Sequence, residues 1–202
     1  MDTLIKHEKA KYEALWEHLP EYRESSPGLE LVGKFLQFFQ SEIKIGQSLI
    51  DFGCGTGQVV PQFLNRGLFL SLVDLSSNCL DQGIPFLMQL CPDQLKFYEA
   101  CLWDLPKNLL PSQWIYCCDV LEHIPEDKVD QVLQAMAART KKGGYLSISL
   151  CEDKIGKIIR EPLHLTVKPR AWWEEKISHY WQIAHSEMLF GGTNLGLCLR
   201  AL

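Results

Sequence analysis

The sequence predicts an α/β fold: a mostly parallel sheet with helices on both faces and an antiparallel C-terminal hairpin. Three observations predict it. Short apolar runs alternate with stretches of helical spacing, the pattern of strands covered on both faces by crossover helices. A glycine-rich turn, DFGCGTG, follows the first run and opens a helix. The last two runs, HYWQIAHSEMLF and TNLGLCLRAL, are separated by Gly191-Gly192, which reads as a hairpin.

The elements follow in order. Residues 3–18 carry a weakly amphipathic helix, and PEYRESSPG, 20–28, is a loop by its prolines, serines and glycine. From Leu29, the residues Leu31, Val32, Phe35, Leu36 and Phe39 recur at helical spacing. Apolar runs at 48–53, 69–74, 96–102, 114–120 and 145–151 predict five strands, with helices at 57–66, 77–90 and 125–140 between them. The third of these helices presents Val129, Val132, Leu133, Met136 and Ala137 on one face. Lys141-Lys142-Gly143-Gly144 end it, as a helix C-terminus prefers. A helix at 168–178 precedes the hairpin. Without repeats or low-complexity segments, the chain reads as one domain.

Composition excludes several classes. A net charge of −5 argues against a binder of duplex nucleic acid, which usually carries a basic stripe. No run reaches the ~18 apolar residues of a membrane span. The charged start MDTLIKHEKAKYEALWEHL is unlike a signal peptide. The eight cysteines form no CxxC pair, and most lie in or beside apolar runs, where cysteine behaves as a small hydrophobe. The expectation is a reduced, cytoplasmic protein with a small-molecule substrate.

The chemistry concentrates at strand ends. In Asp51-Phe52-Gly53-Cys54-Gly55-Thr56-Gly57, glycines let the backbone turn sharply and approach a ligand, and the helix start behind them favours a negative group. A dinucleotide fingerprint would place its third glycine at 58, where Gln stands. Asp74 ends the second run about 20 residues after the turn, where a carboxylate grips two ribose hydroxyls. Asp104, after the third run, can accept from an adenine amino group, with Trp103 flanking the base.

From about 45 to 150 the chain resembles the core of class I S-adenosylmethionine-dependent methyltransferases. DFGCGTG, Asp74, Asp104, CDVLEH and KKGGYLSIS carry the resemblance. It implies a seven-stranded Rossmann-like sheet and S-adenosylmethionine as cofactor. It further implies that Gly53, Cys54, Gly55 and Gly57 pass beneath the methionine part, with Asp51 just before them. Asp74 with Leu75 would hold the ribose, Trp103 and Asp104 the adenine, and Asp119 and Val120 would support the methionine part. EYRESSPG is similar to segments in some sugar and small-molecule methyltransferases in which an arginine, here Arg23, reaches the cofactor's carboxylate. On this reading 1–44 are N-terminal helices and a lid over substrate and cofactor, 45–151 the cofactor-binding core, and 152–202 the substrate insert and hairpin.

The insert after the fifth strand carries Lys154, Lys157, Arg160, Lys168 and Arg170, an excess that suggests an anionic acceptor. Trp172-Trp173 can stack a ring or pack in the core. The favoured reading is O-methylation of a small anionic metabolite or sugar, with His123 or His164 as general base and no metal. One alternative is a metal-assisted methyltransferase acting on RNA 3′ ends. Asp119-x-x-Glu122-His123 with His164 resembles that family's Glu-x-x-Glu-His and later histidine, but begins with Asp. The other alternative is a non-catalytic, cofactor-binding regulatory subunit.

Overall fold

The computed structural model describes residues 3–24 and 26–202. The chain packs as two compact units, Met1–Leu110 and Pro111–Leu202.

The first unit runs α1 (Thr3–His18), α2 (Pro20–Glu24), α3 (Pro27–Phe38), β1 (Ser48–Phe52), α4 (Val60–Leu64), β2 (Phe69–Asp74), α5 (Gly83–Leu90) and β3 (Leu95–Glu99). Its strands lie in the order β3-β2-β1, all parallel. Leu49, Ile50 and Phe52 of β1 are fully buried, as a strand covered on both faces requires. The segment 20–28 departs from the expected loop. Pro20 and Pro27 each open a helix, a position where the missing N–H costs no hydrogen bond. Ser26 caps α3 by accepting from Leu29 N at 3.4 Å. The helix expected at 77–90 is broken into a 3-10 turn, Ser77–Cys79, and α5. Between them the Asp81 N–H donates to Thr56 O at 3.0 Å, which ties this segment to the glycine turn instead of to a helical ladder.

The second unit runs β4 (Ser112–Cys118), α6 (Glu126–Ala137), β5 (Thr140–Ser149), α7 (Gly156–Ile159), α8 (Arg170–Ser178), β6 (Trp181–Leu189) and β7 (Asn194–Ala201). Its strands lie in the order β4-β5-β7-β6; β4 and β5 are parallel, and β7 is antiparallel to both neighbours. The expected hairpin is therefore present. Lys141 to Gly144 do not end a helix. They begin β5, because both glycines sit where strands crowd: a Cβ on Gly143 would lie 2.1 Å from Leu199 O, and one on Gly144 2.3 Å from Ile115 O. The seven strands make a mostly parallel Rossmann-like sheet with an antiparallel C-terminal pair.

Two glycines should respond oppositely to alanine. Gly33, mid-way along α3, has open space around a built Cβ, so Gly33→Ala should stabilise by about 0.5–1 kcal/mol. Gly144→Ala should destabilise by about 3 kcal/mol, because the backbone oxygen of Ile115, which cannot swing aside, stands in the way together with that residue's side chain. Urea unfolding of both variants checks the pair.

Candidate functional site

In the first unit the site is a backbone cradle at the ends of β1 and β2. Gly53, Gly55 and Gly57 adopt φ of 71°, 51° and 77°, the left-handed region that side chains disfavour. Gly53 N and Cys54 N both donate to Val73 O, at 2.8 and 3.1 Å, which pins the turn to β2. Asp74 then fixes its far side: Oδ2 accepts from Gly55 N at 2.9 Å, and Oδ1 accepts from Ser76 N at 3.4 Å.

Asp51 lies just before the turn, 3% exposed, and among the described residues its Oδ2 has no hydrogen-bond partner. Burial, with the Asp74 charge adding to it, pushes the Asp51 carboxyl up to about 8. Burial also raises Asp74, to about 6, against the amide hydrogen bonds that favour its charged form. A buried acceptor without a donor is costly, and a ligand carrying a cationic or N–H group would satisfy it. Leu75 follows Asp74 half-buried. Trp103 is buried in the turn after β3, and Asp104 is exposed beside it, its N–H donating to Cys101 O at 2.9 Å.

Arg23 sits at this cradle through backbone carbonyls. Its guanidinium donates to Trp16 O (2.8 Å), Cys79 O (3.0 Å) and Asn78 O, and lies 3.8 Å from Asp81. It thereby clamps α1 and α2 onto the turn after β2. Trp16 is a residue that sequence reasoning missed. Its ring edge would lie 3.5 Å from a Cβ on Gly55, Arg23 lies over its face, and its buried Nε1 has no partner among the described residues. A lone tryptophan in a weakly amphipathic helix carries no signal for this placement.

In the second unit Asp119 ends the β4 segment with φ 54°; its carboxylate accepts from Ser147 Oγ at 2.8 Å and Asn194 Nδ2 at 3.2 Å. Val120 follows half-buried and leads into a 3-10 turn, Leu121–His123. Glu122, His123 and His164 converge: one ligand atom from each lies within 4.8 Å of the others. Glu122 is fully buried; Oε1 accepts from Ser149 N at 2.9 Å and Oε2 has no partner among the described residues. Burial, then the neighbouring Asp119 charge, push its carboxyl well above the ordinary range.

The imidazoles meet edge to face with centroids 4.8 Å apart. Nδ1 of His123 is 2.9 Å from Leu163 O, and Nδ1 of His164 is 2.5 Å from Cys151 O. A carbonyl accepts only from N–H, so each ring carries its proton on Nδ1 and leaves Nε2 as the basic nitrogen. The arrangement suits a general base and equally a metal ligand. Of the four residues considered for a metal, three come together, while Asp119 is engaged by Ser147 and Asn194.

Beside this cluster lies a cavity of about 600 Å³ lined by His164, Lys157, Arg160, Lys168, Glu126 and Glu152, among others. The basic excess of the insert is partly neutralised. Lys168 pairs with Glu126 at 2.8 Å, and Arg170 bonds Glu174 at 2.8 Å and Ser186 at 2.9 Å. Trp173 is core, and Trp172 is flanked by Lys168 and Lys176. No helix among the described residues is long and apolar enough to cross a membrane.

Several solved methyltransferases share this architecture. A 1,6-didemethyltoxoflavin-N1-methyltransferase from Burkholderia thailandensis, solved with bound 1,6-didemethyltoxoflavin and S-adenosylhomocysteine, superposes with a TM-score of 0.74 at 14% identity, covering 96% of this chain and 86% of its own. The magnesium protoporphyrin IX methyltransferase of Synechocystis with bound S-adenosylmethionine gives a TM-score of 0.70 at 14% identity, over 96% and 97% of the two chains. The fold is thus that of the class I methyltransferases. In sequence, residues 49–144 match the methyltransferase domain family. A ubiquinone biosynthesis O-methyltransferase from Albidiferax ferrireducens is 27% identical over 105 residues; the match spans 52% of this chain but only 41% of that relative. Residues 49–144 thus match a methyltransferase domain, within a chain that has the fold of S-adenosylmethionine-dependent methyltransferases.

The raised carboxyls make stability depend on pH. A carboxyl whose pKa is higher folded than unfolded binds its proton more tightly in the folded chain. The contribution of Asp51 to stability is fully present below the ordinary 3.8 and is lost as pH rises from there through about 8, with no further loss above. The ligand-free protein should melt at a lower temperature at pH 8 than at pH 5, and Asp51→Asn should flatten that slope. Melting curves with equal slopes in both proteins would remove Asp51 from the account.

Proposed function

We propose that this protein transfers a methyl group from S-adenosylmethionine to an oxygen of a small anionic acceptor. The observation that carries the reading is the glycine cradle flanked by Asp51 and Asp74, within a stretch that matches the methyltransferase domain family. The residues fit the cofactor. Asp51 Oδ2 offers an unsatisfied acceptor for an ammonium group, and Asp74 offers carboxylate oxygens for ribose hydroxyls. Trp103 and Asp104 serve the adenine, and Arg23 shapes the cradle by clamping α1 and α2 to it. Asp119 and Val120 keep the supporting role that the resemblance gives them. When bound, the cofactor supplies a methyl carbon with a good leaving group. What remains for the protein is alignment, exclusion of water and removal of the acceptor's proton.

His123 or His164 takes that proton at Nε2, the nitrogen left basic by each Nδ1 contact. Lys157 and Arg160 line the adjoining cavity and form no ion pair among the described residues, so they are the cations left to meet an anionic acceptor. Asp74→Ala should weaken cofactor binding by roughly 2–4 kcal/mol, through loss of charge-assisted bonds. Calorimetry with S-adenosylhomocysteine checks it; unaltered affinity would refute the role of Asp74. A methyl-donor screen across sugars, carboxylates, catechols and short RNAs identifies the acceptor and separates an enzyme from a regulatory subunit. With that acceptor, charge reversal of Lys157 and Arg160 together should raise KM several-fold and leave cofactor affinity unchanged.

A second reading has a specific observation behind it. Glu122, His123 and His164 converge, and both rings are oriented by second hydrogen bonds, as metal-binding histidines are. One carboxylate and two imidazoles suit Mn, Fe or Co better than Mg. The metal would act as a Lewis acid on the acceptor, and an RNA 3′ end becomes the candidate acceptor. The two readings divide on chelation. Base catalysis survives EDTA, and His123→Ala then lowers kcat more than it lowers cofactor affinity. If EDTA abolishes turnover and Mn²⁺ or Co²⁺ restores it, the metal reading holds.

A further inference from the structure

A second cluster of metal-ligating side chains lies in the cradle itself. Cys54, in the glycine turn, and Cys79, in the 3-10 turn after β2, come together with Asp74, and one ligand atom from each lies within 4.8 Å of the others. The Cys54 thiol donates to Gly55 O at 3.8 Å, within the same turn whose Gly55 amide Asp74 holds. Both cysteines are buried and no disulfide joins them. Neither the cofactor contacts nor the acid–base cluster needs these thiols.

The backbone around them is held firmly. Gly53 and Gly55, both at positive φ, flank Cys54 in the turn, and the amide of Gly55 is held by Asp74. The carbonyl of Cys79 accepts from Arg23 at 3.0 Å. Two sulfurs and one carboxylate oxygen are a soft donor set that selects zinc or another thiophilic dication over magnesium. Tetrahedral Zn²⁺ with Zn–S near 2.3 Å asks its ligands to draw in to somewhat under 4 Å apart, a modest contraction from the arrangement present. Binding releases the two thiol protons to solvent and leaves the fourth position for water. The attraction of the dication offsets the burial that otherwise disfavours both thiolates.

We propose that Cys54, Asp74 and Cys79 form a binding site for a thiophilic divalent cation, zinc being the natural occupant, and that the bound cation excludes S-adenosylmethionine by taking the carboxylate of Asp74. The exclusion rests on the assignment of Asp74 to the ribose; the cation site itself does not. Zinc is then a competitive inhibitor of cofactor binding, built from a thiol in the glycine motif and one in the following turn.

The test uses the reduced full chain. Titration with Co²⁺ should produce the near-ultraviolet charge-transfer absorption that only thiolate ligation gives, so the imidazole and carboxylate cluster of the second unit does not contribute to it. Cys79→Ser, close in shape, should lose that absorption. Zinc at about a hundred times its Kd should lower the apparent affinity for S-adenosylhomocysteine about a hundredfold in the wild type. The same zinc should leave Cys79→Ser within about threefold of its zinc-free value, the margin expected of a site that no longer couples to the cofactor. No thiolate absorption, or equal absorption in Cys79→Ser, overturns the cation site. Zinc binding with unchanged cofactor affinity overturns the exclusion. Failure of S-adenosylhomocysteine to bind metal-free protein would instead refute the cofactor reading, while the cobalt spectrum still decides the cation site.

Discussion

Each unit of this protein holds a carboxylate out of water with one oxygen unsatisfied, and that constraint organises the rest. Asp51 in the first unit and Glu122 in the second are both buried, and each has an oxygen with no hydrogen-bond partner among the described residues. Both carboxyls are raised by that burial. A fold selected for stability alone would replace such groups with apolar ones. Their retention is explained if the missing partner is a ligand or a reacting group, which is how strain and orphaned polar atoms concentrate at functional sites.

The surrounding structure serves to hold these groups in place. Around Asp51, three glycines at positive φ bring backbone amides toward a ligand, and Asp74 accepts from one of them. Around Glu122, the backbone does the work: its own carbonyl accepts from Leu165 and Thr166, so the insert's loop is anchored to the turn that carries it. Asp153 anchors the other end by accepting from Gly156, Leu163 and His164 amides. Against the desolvation it suffers, those bonds hold Asp153 below the usual carboxylate range. The loop bearing His164 is therefore tied at both ends, which fixes the imidazole pair despite its place in an irregular segment.

Much of this was legible in the sequence. β2 matches its apolar run residue for residue at 69–74, and β1 differs by one residue, because buried parallel strands read as continuous apolar stretches. The glycine turn and its flanking acids were legible because only glycine fits that backbone. The misreadings share a cause, which is that partners far along the chain overrode local signals. Gly143 and Gly144 look like a helix stop but are required by close strand packing against Leu199 and Ile115. Pro20 and Pro27 look like loop punctuation but start helices. The basic character of the insert was overstated, because Glu126 neutralises Lys168 from another element. Trp16 and Cys79 were invisible, since nothing local ties either to the glycine turn.

The central claim is that the first unit's cradle is built for the methyl donor. Calorimetric titration of the ligand-free protein with S-adenosylmethionine and, separately, with NAD tests it most directly. The account predicts saturable one-to-one binding of S-adenosylmethionine and none of NAD, because Gln58 stands where a dinucleotide site needs glycine. Tight binding of NAD, or no binding of S-adenosylmethionine, would contradict it.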